Sequence, residues 1–218
     1  MRRVALIVLF GWITTTIALA ADNIRLAKPQ TNSGAPILQL LGERKSTKSY
    51  TSASLTEKQL GELLWAADGT NRDKGGRTAP SALSSYPVEI YVVLTNATWL
   101  YLPEKHELAL VASGDQRKTA GGQDYSRTAP VNLVYVANLE KFTKPGAKPS
   151  GQTNDLLQWA ALEAGCISQN VALYCASQKL GSVIRVSVPK PEFAKMAGLK
   201  DSQVVLAGQT VGHPAPGP

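Results

Sequence analysis

Apolar positions recur along the chain in two rhythms, and each change of rhythm marks an element. Leu60, Leu63, Leu64 and Ala67 keep helical spacing behind Ser54-Leu55-Thr56-Glu57, a capping-box pattern, and Asp68-Gly69 ends that helix. Ile37-Leu38-Gln39-Leu40-Leu41-Gly42 predicts a shorter helix closing at Gly42. Residues 88–94 and 129–137 are largely apolar and predict interior strands, while Trp99-Leu100-Tyr101-Leu102 and residues 107–111 form a hairpin across Pro103 to His106. The longest helix is expected from Asn154, as N-cap, to Lys179, with Glu163 the only charge between Asp155 and Lys179 and most of its surface therefore buried. Gln158, Gln169, Asn170 and Gln178 argue against a membrane span there. Ala160, Ala161, Ala164, Gly165 and Ala172 allow close helix contact, in the core or across a dimer axis. Leu180-Gly181 closes it, residues 182–188 read as extended, Pro191 opens a short helix to Ala197, and residues 203–209 form a last strand. Helices and strands interspersed with a hairpin and long spacings give an α+β fold rather than a doubly wound sheet.

The connecting segments divide the chain. Met1-Arg2-Arg3, an apolar stretch from Val4 to Ile17 and Ala18-Leu19-Ala20 form a secretory signal over residues 1–20, with cleavage expected after Ala20. Residue 21 is Ala, which excludes a lipid-modified cysteine at that junction, and no second apolar stretch follows. An exported, periplasmic protein without a membrane span after cleavage is the expectation. Residues 21–36 form a polar lead-in, extended and either wrapped on a partner subunit or loose; residues 37–214 form one domain, and 215–218 a Pro/Gly tail. Within the domain, residues 71–77 are a charged glycine loop, 78–87 a proline-bracketed run of small and hydroxylated residues, 114–127 a polar segment containing Gln123, and 141–151 an exposed Pro/Gly/Lys loop. Trp65, near the end of its helix, is a core aromatic or a ring lining a pocket.

Composition fits one globular domain: 218 residues, 44% hydrophobic and 18% charged. With Arg2 and Arg3 removed, 21 basic residues stand against 16 acidic, a charge of +5 without any Lys/Arg block of nucleic-acid type. That excess favours an anionic small ligand or is simply surface. Cys166 and Cys175 fall on opposite faces of one helix, about 13 Å apart along its axis, beyond disulfide reach, and read as small core residues. His106 and His213 stand alone, so no metal site is expected. No Gly-x-Gly-x-x-Gly, phosphate-loop lysine or Gly-x-Ser-x-Gly pattern occurs, Ser81 has no identifiable triad histidine, and no catalytic residue is assigned.

Arg44-Lys45-Ser46-Thr47-Lys48-Ser49-Tyr50 concentrates three cations and three aliphatic hydroxyls in seven positions. Arg offers a planar fork, Lys a mobile point charge and Ser a short hydroxyl, a set that suits a phosphate; its bland reading is a solvated basic loop.

That run resembles the opening flavin-phosphate motif of the nitroreductase family, commonly Arg-Arg-Ser-x-Arg-x-Phe/Tyr. Ala79-Pro80-Ser81-Ala82 with Tyr86-Pro87 is similar to the family's Pro-Ser-Ala/Ser segment, and residues 161–170 to its Ala-Gly-x-x-x-Gln-Asn helix. Residues 206–214 are similar to its last core strand. The closest likeness is to the branch acting on azoline rings, in a short exported form. The resemblance implies an α+β homodimer, a mainly antiparallel sheet flanked by helices, with two FMN sites at the subunit interface and a small-molecule substrate. By position, Arg44, Lys45, Ser46 and Lys48 would hold the phosphate and ribityl chain. Pro80, Ser81, Ala82 and Ser84 would come from the other subunit along the ring, and Gln123 would reach its pyrimidine edge. Ile184, Arg185, Val186 and Ser187 would approach the opposite face, with an N–H of Val186 or Ser187 near flavin N5. Lys45 and Lys48 depart from arginine, keeping charge and losing the bidentate fork. His213 is the last titratable side chain, where many family members add further cations, so Arg185 becomes a candidate for the phosphate or for an anionic substrate. The implied function is an FMN-dependent oxidoreductase, with hydride passing through the flavin. Two alternatives stand beside it: a flavin-free binding or structural dimer of the same fold, and a peptide-modifying oxidase working with partner proteins. Export leaves the electron donor open, because NAD(P)H is not expected outside the cytoplasm. Arg2-Arg3 weakly resembles a twin-arginine signal, and the general secretory route fits as well.

Overall fold

The computed structural model describes residues 23–32, 34–142 and 153–216; the expected signal segment and most of the 141–151 loop lie outside them. In chain order the elements are β1 (Ile24–Arg25), α1 (Ile37–Glu43), α2 (Glu57–Asp68), β2 (Val88–Val93), β3 (Ala97–Leu102), β4 (Glu107–Ser113), α3 (Arg117–Ala120) and α4 (Asp124–Thr128). They continue with β5 (Val131–Asn138), α5 (Thr153–Ser177), β6 (Gly181–Arg185), α6 (Lys190–Ala197) and β7 (Gln203–Gly212). All strands join one sheet in the order β1-β4-β3-β2-β5-β7-β6, and every pairing in it is antiparallel.

The two central strands are largely apolar because both faces of the sheet are covered. Val131, Leu133, Tyr135 and Ala137 of β5 pack with Leu63, Leu64 and Ala67 of α2 and with Leu156, Ala160, Ala164, Ile167 and Val171 of α5. The intervening Val134 and Val136 meet Tyr91, Val93, Ala120 and Phe193 on the opposite face. A strand of period two between two helical layers therefore appears in the sequence as a continuous hydrophobic run. Fold class is α+β with a mainly antiparallel sheet, as the sequence predicts.

Several boundaries differ. The capping box sits two positions later: Thr56 accepts from Gln59 N–H at 3.1 Å and the Gln59 carbonyl accepts from Thr56 N–H at 2.9 Å, so Thr56 and Gln59 cap α2 rather than Ser54 and Glu57. Residues 114–127, expected as a polar loop, include α3 and α4, each too short to display a helical period. β6 stops at Arg185, because Val188 N–H turns back to the Val186 carbonyl at 3.0 Å. β7 extends to Gly212, held by β5 and β6 together. Cys175 is buried and Cys166 half-buried, both free thiols, and burial pushes the Cys175 thiol up to about 12, which leaves it inert.

The described part of the lead-in lies on its own subunit. Ile24 and Arg25 pair with Leu108 and Glu107 at the sheet edge, Leu26 is buried, and Leu26 N–H donates to the His106 carbonyl at 3.0 Å. His106 Nε2 lies 2.9 Å from the Ala27 carbonyl and Nδ1 2.9 Å from the Tyr101 hydroxyl, so these partners put the proton on Nε2. Gly61 of α2 makes this crossing possible: a Cβ there would meet the Ala27 carbonyl at 2.6 Å. Gly61→Ala would gain about 1 kcal/mol of helix propensity, yet the strap has few bonds and must yield. The expected result is proteolysis at residues 23–32 accelerated about 10-fold or more, with the global unfolding midpoint displaced by less than about 1 kcal/mol. An unchanged cleavage rate would mean the strap does not depend on that approach.

Candidate cofactor site

The strip from Arg44 to Tyr50 forms where α1 ends. Arg44 is the C-cap, its N–H donating to the Leu40 carbonyl at 2.9 Å, and the chain then runs extended along the outer edge of β6. Ser46 bridges Ser182 in parallel, Thr47 N–H donates to the Ser182 carbonyl at 3.0 Å, and Tyr50 bridges Pro214. Tyr50 is buried with its hydroxyl on the Thr47 carbonyl, which pins the strip from beneath. Gly181 completes the fit, because a Cβ there would stand 2.6 Å from the Thr47 side chain.

The cations divide between two sides. Arg44, Lys45 and Thr47, together with Lys179, Ser182 and Pro214, line a hollow of about 230 Å³ at the end of α5; Ser46 and Lys48 do not line it and are exposed. Two-residue alternation in the extended chain sets Lys45 and Thr47 against Ser46 and Lys48, while Arg44, the C-cap of α1, falls on the hollow side. Among the described residues no carboxylate pairs with Arg44, Lys45 or Lys48, whereas Arg25, Lys58, Arg117, Lys141 and Lys200 each have one and Arg77 has two.

The expected ring-facing residues take different orientations. Ile184 and Val186, exposed at 46% and 75%, stand on one side of β6, an unusual exposure for side chains so close to the core. Arg185 between them points the other way. It is buried, donating to Thr210 Oγ1 at 2.5 Å, the Ala120 carbonyl at 2.6 Å and Asn132 Oδ1 at 3.0 Å. Its Nη1 and Nη2 thus tie α3, β5 and β7 to β6, and Nε is buried without a partner among the described residues. The guanidinium is turned away from the outer edge, which corrects the expectation that it meets a phosphate or an anionic substrate there. The Ser182 carbonyl faces the strip, so by alternation the N–H of Val186 faces the same outer edge. Ser187 is exposed and accepts from Gln123 Nε2 at 2.5 Å, which brings two expected site residues together; Gln123 Oε1 is buried without a partner. Pro80 and Ser84 are exposed, Ser81 and Ala82 half-buried, around a 3-10 turn at Ala82–Ser84.

Sequence reasoning missed a buried charge cluster behind that turn. Arg77 donates to Asp68 Oδ2 at 2.6 Å and to Glu104 at 2.5 Å, and its guanidinium lies 4.4 Å from the centre of the Tyr86 ring. Burial outweighs Arg77 and lifts the Asp68 carboxyl to about 7. Nine and 27 positions separate these partners in sequence, and no spacing rule links them. The cluster borders a cavity of about 430 Å³. Its charged groups are engaged with one another, Glu89 with Lys141 at 3.1 Å included, except that Asp68 Oδ1 is buried without a partner among the described residues. Among the described residues no group of three His, Cys, Asp or Glu could hold a metal ion, and no helix is long and apolar enough to cross a membrane.

Apolar surface remains uncovered on α1, at Ile37, Leu38 and Leu41, and on α5 at Leu162, beside Gly165, whose surroundings are open. Trp65 is half-buried, its Nε1 donating to the Thr70 carbonyl at 3.0 Å, and lines an open groove with Leu40, Asn170 and Tyr174.

Known proteins share this architecture. A nitroreductase-like protein of Ralstonia eutropha JMP134, solved by crystallography, superimposes with a TM-score of 0.81 at 36% identity, covering 89% of this chain and 90% of its own. A nitroreductase-like protein of Methanocaldococcus jannaschii is 28% identical over 177 residues, 77% of this chain and 86% of that protein. An NADPH-flavin oxidoreductase of Vibrio harveyi is 24% identical over 178 residues, 80% of this chain and 64% of that protein. The model described as the nitroreductase family matches residues 41–213, from the end of α1 to the end of β7, a span that contains the cationic strip, the 80–87 turn and the exposed end of β6. On that match the chain belongs to the nitroreductase family and is an oxidoreductase of that family.

Proposed function

We propose that the protein is an FMN-dependent oxidoreductase, exported to the periplasm, which works as a homodimer with a flavin at each of two subunit interfaces and a small molecule as substrate. The observation that carries the reading is the cationic strip: Arg44, Lys45 and Lys48 lack carboxylate partners among the described residues, and Ser46 is bridged to Ser182 only two residues, about 7 Å, from exposed Ile184. A phosphate monoester carrying about two charges wants several charge-assisted donors, and a flat ring wants exposed apolar contact beside it. The residues present fit both ends of FMN. Ser46 and Lys48 would hold the phosphate, with Arg44 and Lys45 reaching it from the hollow on the other side of the strip. Ile184 and Val186 would lie against one ring face, the Val186 N–H being turned to the open edge, and Ser187 would adjoin them. The unpartnered Gln123 Oε1 would accept from the pyrimidine edge, which offers an N–H. Pro80, Ser81, Ala82 and Ser84 would come from the partner subunit. The exposed apolar residues of α1 and α5 supply the surface for that second copy. When bound, FMN supplies the two-electron hydride chemistry, and the chain's residues supply binding and orientation with no acid–base pair of their own. The placement near the azoline-oxidising branch belongs to this proposal and rests on sequence motifs alone.

Sedimentation velocity followed at the visible flavin absorbance, on mature protein loaded with FMN, tests the reading. A coloured species of two chains carrying two flavins is expected. Flavin sedimenting free of the protein, beside a colourless dimer, supports the flavin-free binding dimer instead.

A further inference from the structure

The turn after Pro80 has a backbone that its sequence alone does not favour. Leu83, Ser84 and Tyr86 have φ of 56°, 53° and 46°, three non-glycine residues in the left-handed region within four positions. Such a conformation persists only where its surroundings hold it. Two inward bonds do so. Tyr86 N–H donates to Ser81 Oγ at 2.8 Å, closing the turn on itself, and Val88 N–H donates to Glu163 Oε1 at 3.3 Å, fixing its exit. Glu163, the lone charge in the middle of α5, is buried; the Val88 N–H on Oε1 offsets part of the cost of that burial, and Oε2 has no partner among the described residues. From below, Arg77 supports the Tyr86 ring.

We infer that Glu163 is a positioning residue that staples the exit of the 81–88 turn through the Val88 N–H, and that the Ser81 hydroxyl is turned inward to the Tyr86 N–H rather than offered to a ligand. Pro80, Ala82 and the exposed Ser84 are then the groups the turn presents outward. A charge in the middle of an apolar helix gains a reason: its carboxylate accepts from a backbone N–H, which no apolar residue can do. The staple stands on the turn itself; only what the turn presents Ala82 and Ser84 to rests on the flavin reading.

Amide exchange on the flavin-free chain tests the staple independently of the cofactor. In Ser81→Ala and in Glu163→Ala the Tyr86 and Val88 amides are expected to exchange about 10-fold faster or more, while the β5 amides keep their protection. Glu163→Gln keeps an acceptor for Val88 and is expected to restore exchange to within about 3-fold of the unmodified chain. Unchanged exchange at Tyr86 and Val88 in both alanine variants would overturn the proposal. FMN dissociation from the same variants then separates the two readings. Faster exchange with faster dissociation supports both, whereas faster exchange with unaltered dissociation upholds the staple and removes the turn from the flavin site.

Discussion

Replacing Arg44 and Lys48 together by alanine is expected to abolish FMN retention while leaving the fold intact. Neither side chain is paired with a carboxylate among the described residues, and Lys48 is exposed, so removing them frees no buried charge and opens no cavity. What they would lose is the ligand's phosphate. A hydrogen bond to a charged group contributes about 1.5–3 kcal/mol, so two of them, screened by solvent, correspond to a Kd raised about 100-fold or more. Equilibrium titration with FMN, alongside the thermal midpoint of the empty protein, separates affinity from stability. The midpoint should move by less than about 2 °C. The conservative pair Arg44→Lys and Lys48→Arg should retain most of the affinity, because charge matters more than fork geometry at an exposed phosphate.

Phe193→Ala is expected to have the largest effect on stability. Phe193 is fully buried under α6, edge-on to Tyr91 with ring centroids 5.6 Å apart, and it anchors the helix that follows the exposed end of β6. Removing a buried phenyl costs about 3–5 kcal/mol, because the transfer term and the residual cavity add. For a chain of this size that is a fall of about 10 °C in the thermal midpoint. Since α6 also fixes the turn at residues 186–189, the Gln123 contact to Ser187 should loosen with it, visible as faster exchange in α4 below the unfolding transition.

How far the sequence could be read follows from which interactions are local. The interior strands at β2 and β5 and the long α5 were legible because burial on two faces writes a continuous apolar run. The chemical type of the Arg44 run was legible too, since unpaired cations and short hydroxyls crowd into seven positions. Its division over two sides was not, because that depends on the register against Ser182, 136 positions away. The inward turn of Arg185 had no local signal either. It is set by pairing with Gly208, where a Cβ would stand 3.3 Å from the guanidinium, so the room for that side chain is created by a residue on another strand. Asp68, Arg77 and Glu104 are likewise joined only by the fold. The lead-in, open in the sequence between wrapping a partner and lying loose, pairs over its described residues with its own sheet edge, because Gly61 leaves room for it to cross α2.

The central claim is that a phosphate is gripped by the strip between α1 and Tyr50, and the most direct test compares FMN with riboflavin, which carries the same ring and ribityl chain without that phosphate. Binding of each to the flavin-free mature chain, followed by quenching of flavin fluorescence, is predicted to saturate at one FMN per chain and to weaken about 100-fold or more for riboflavin. Equal affinities for the two, or no saturable binding of FMN, would contradict the account.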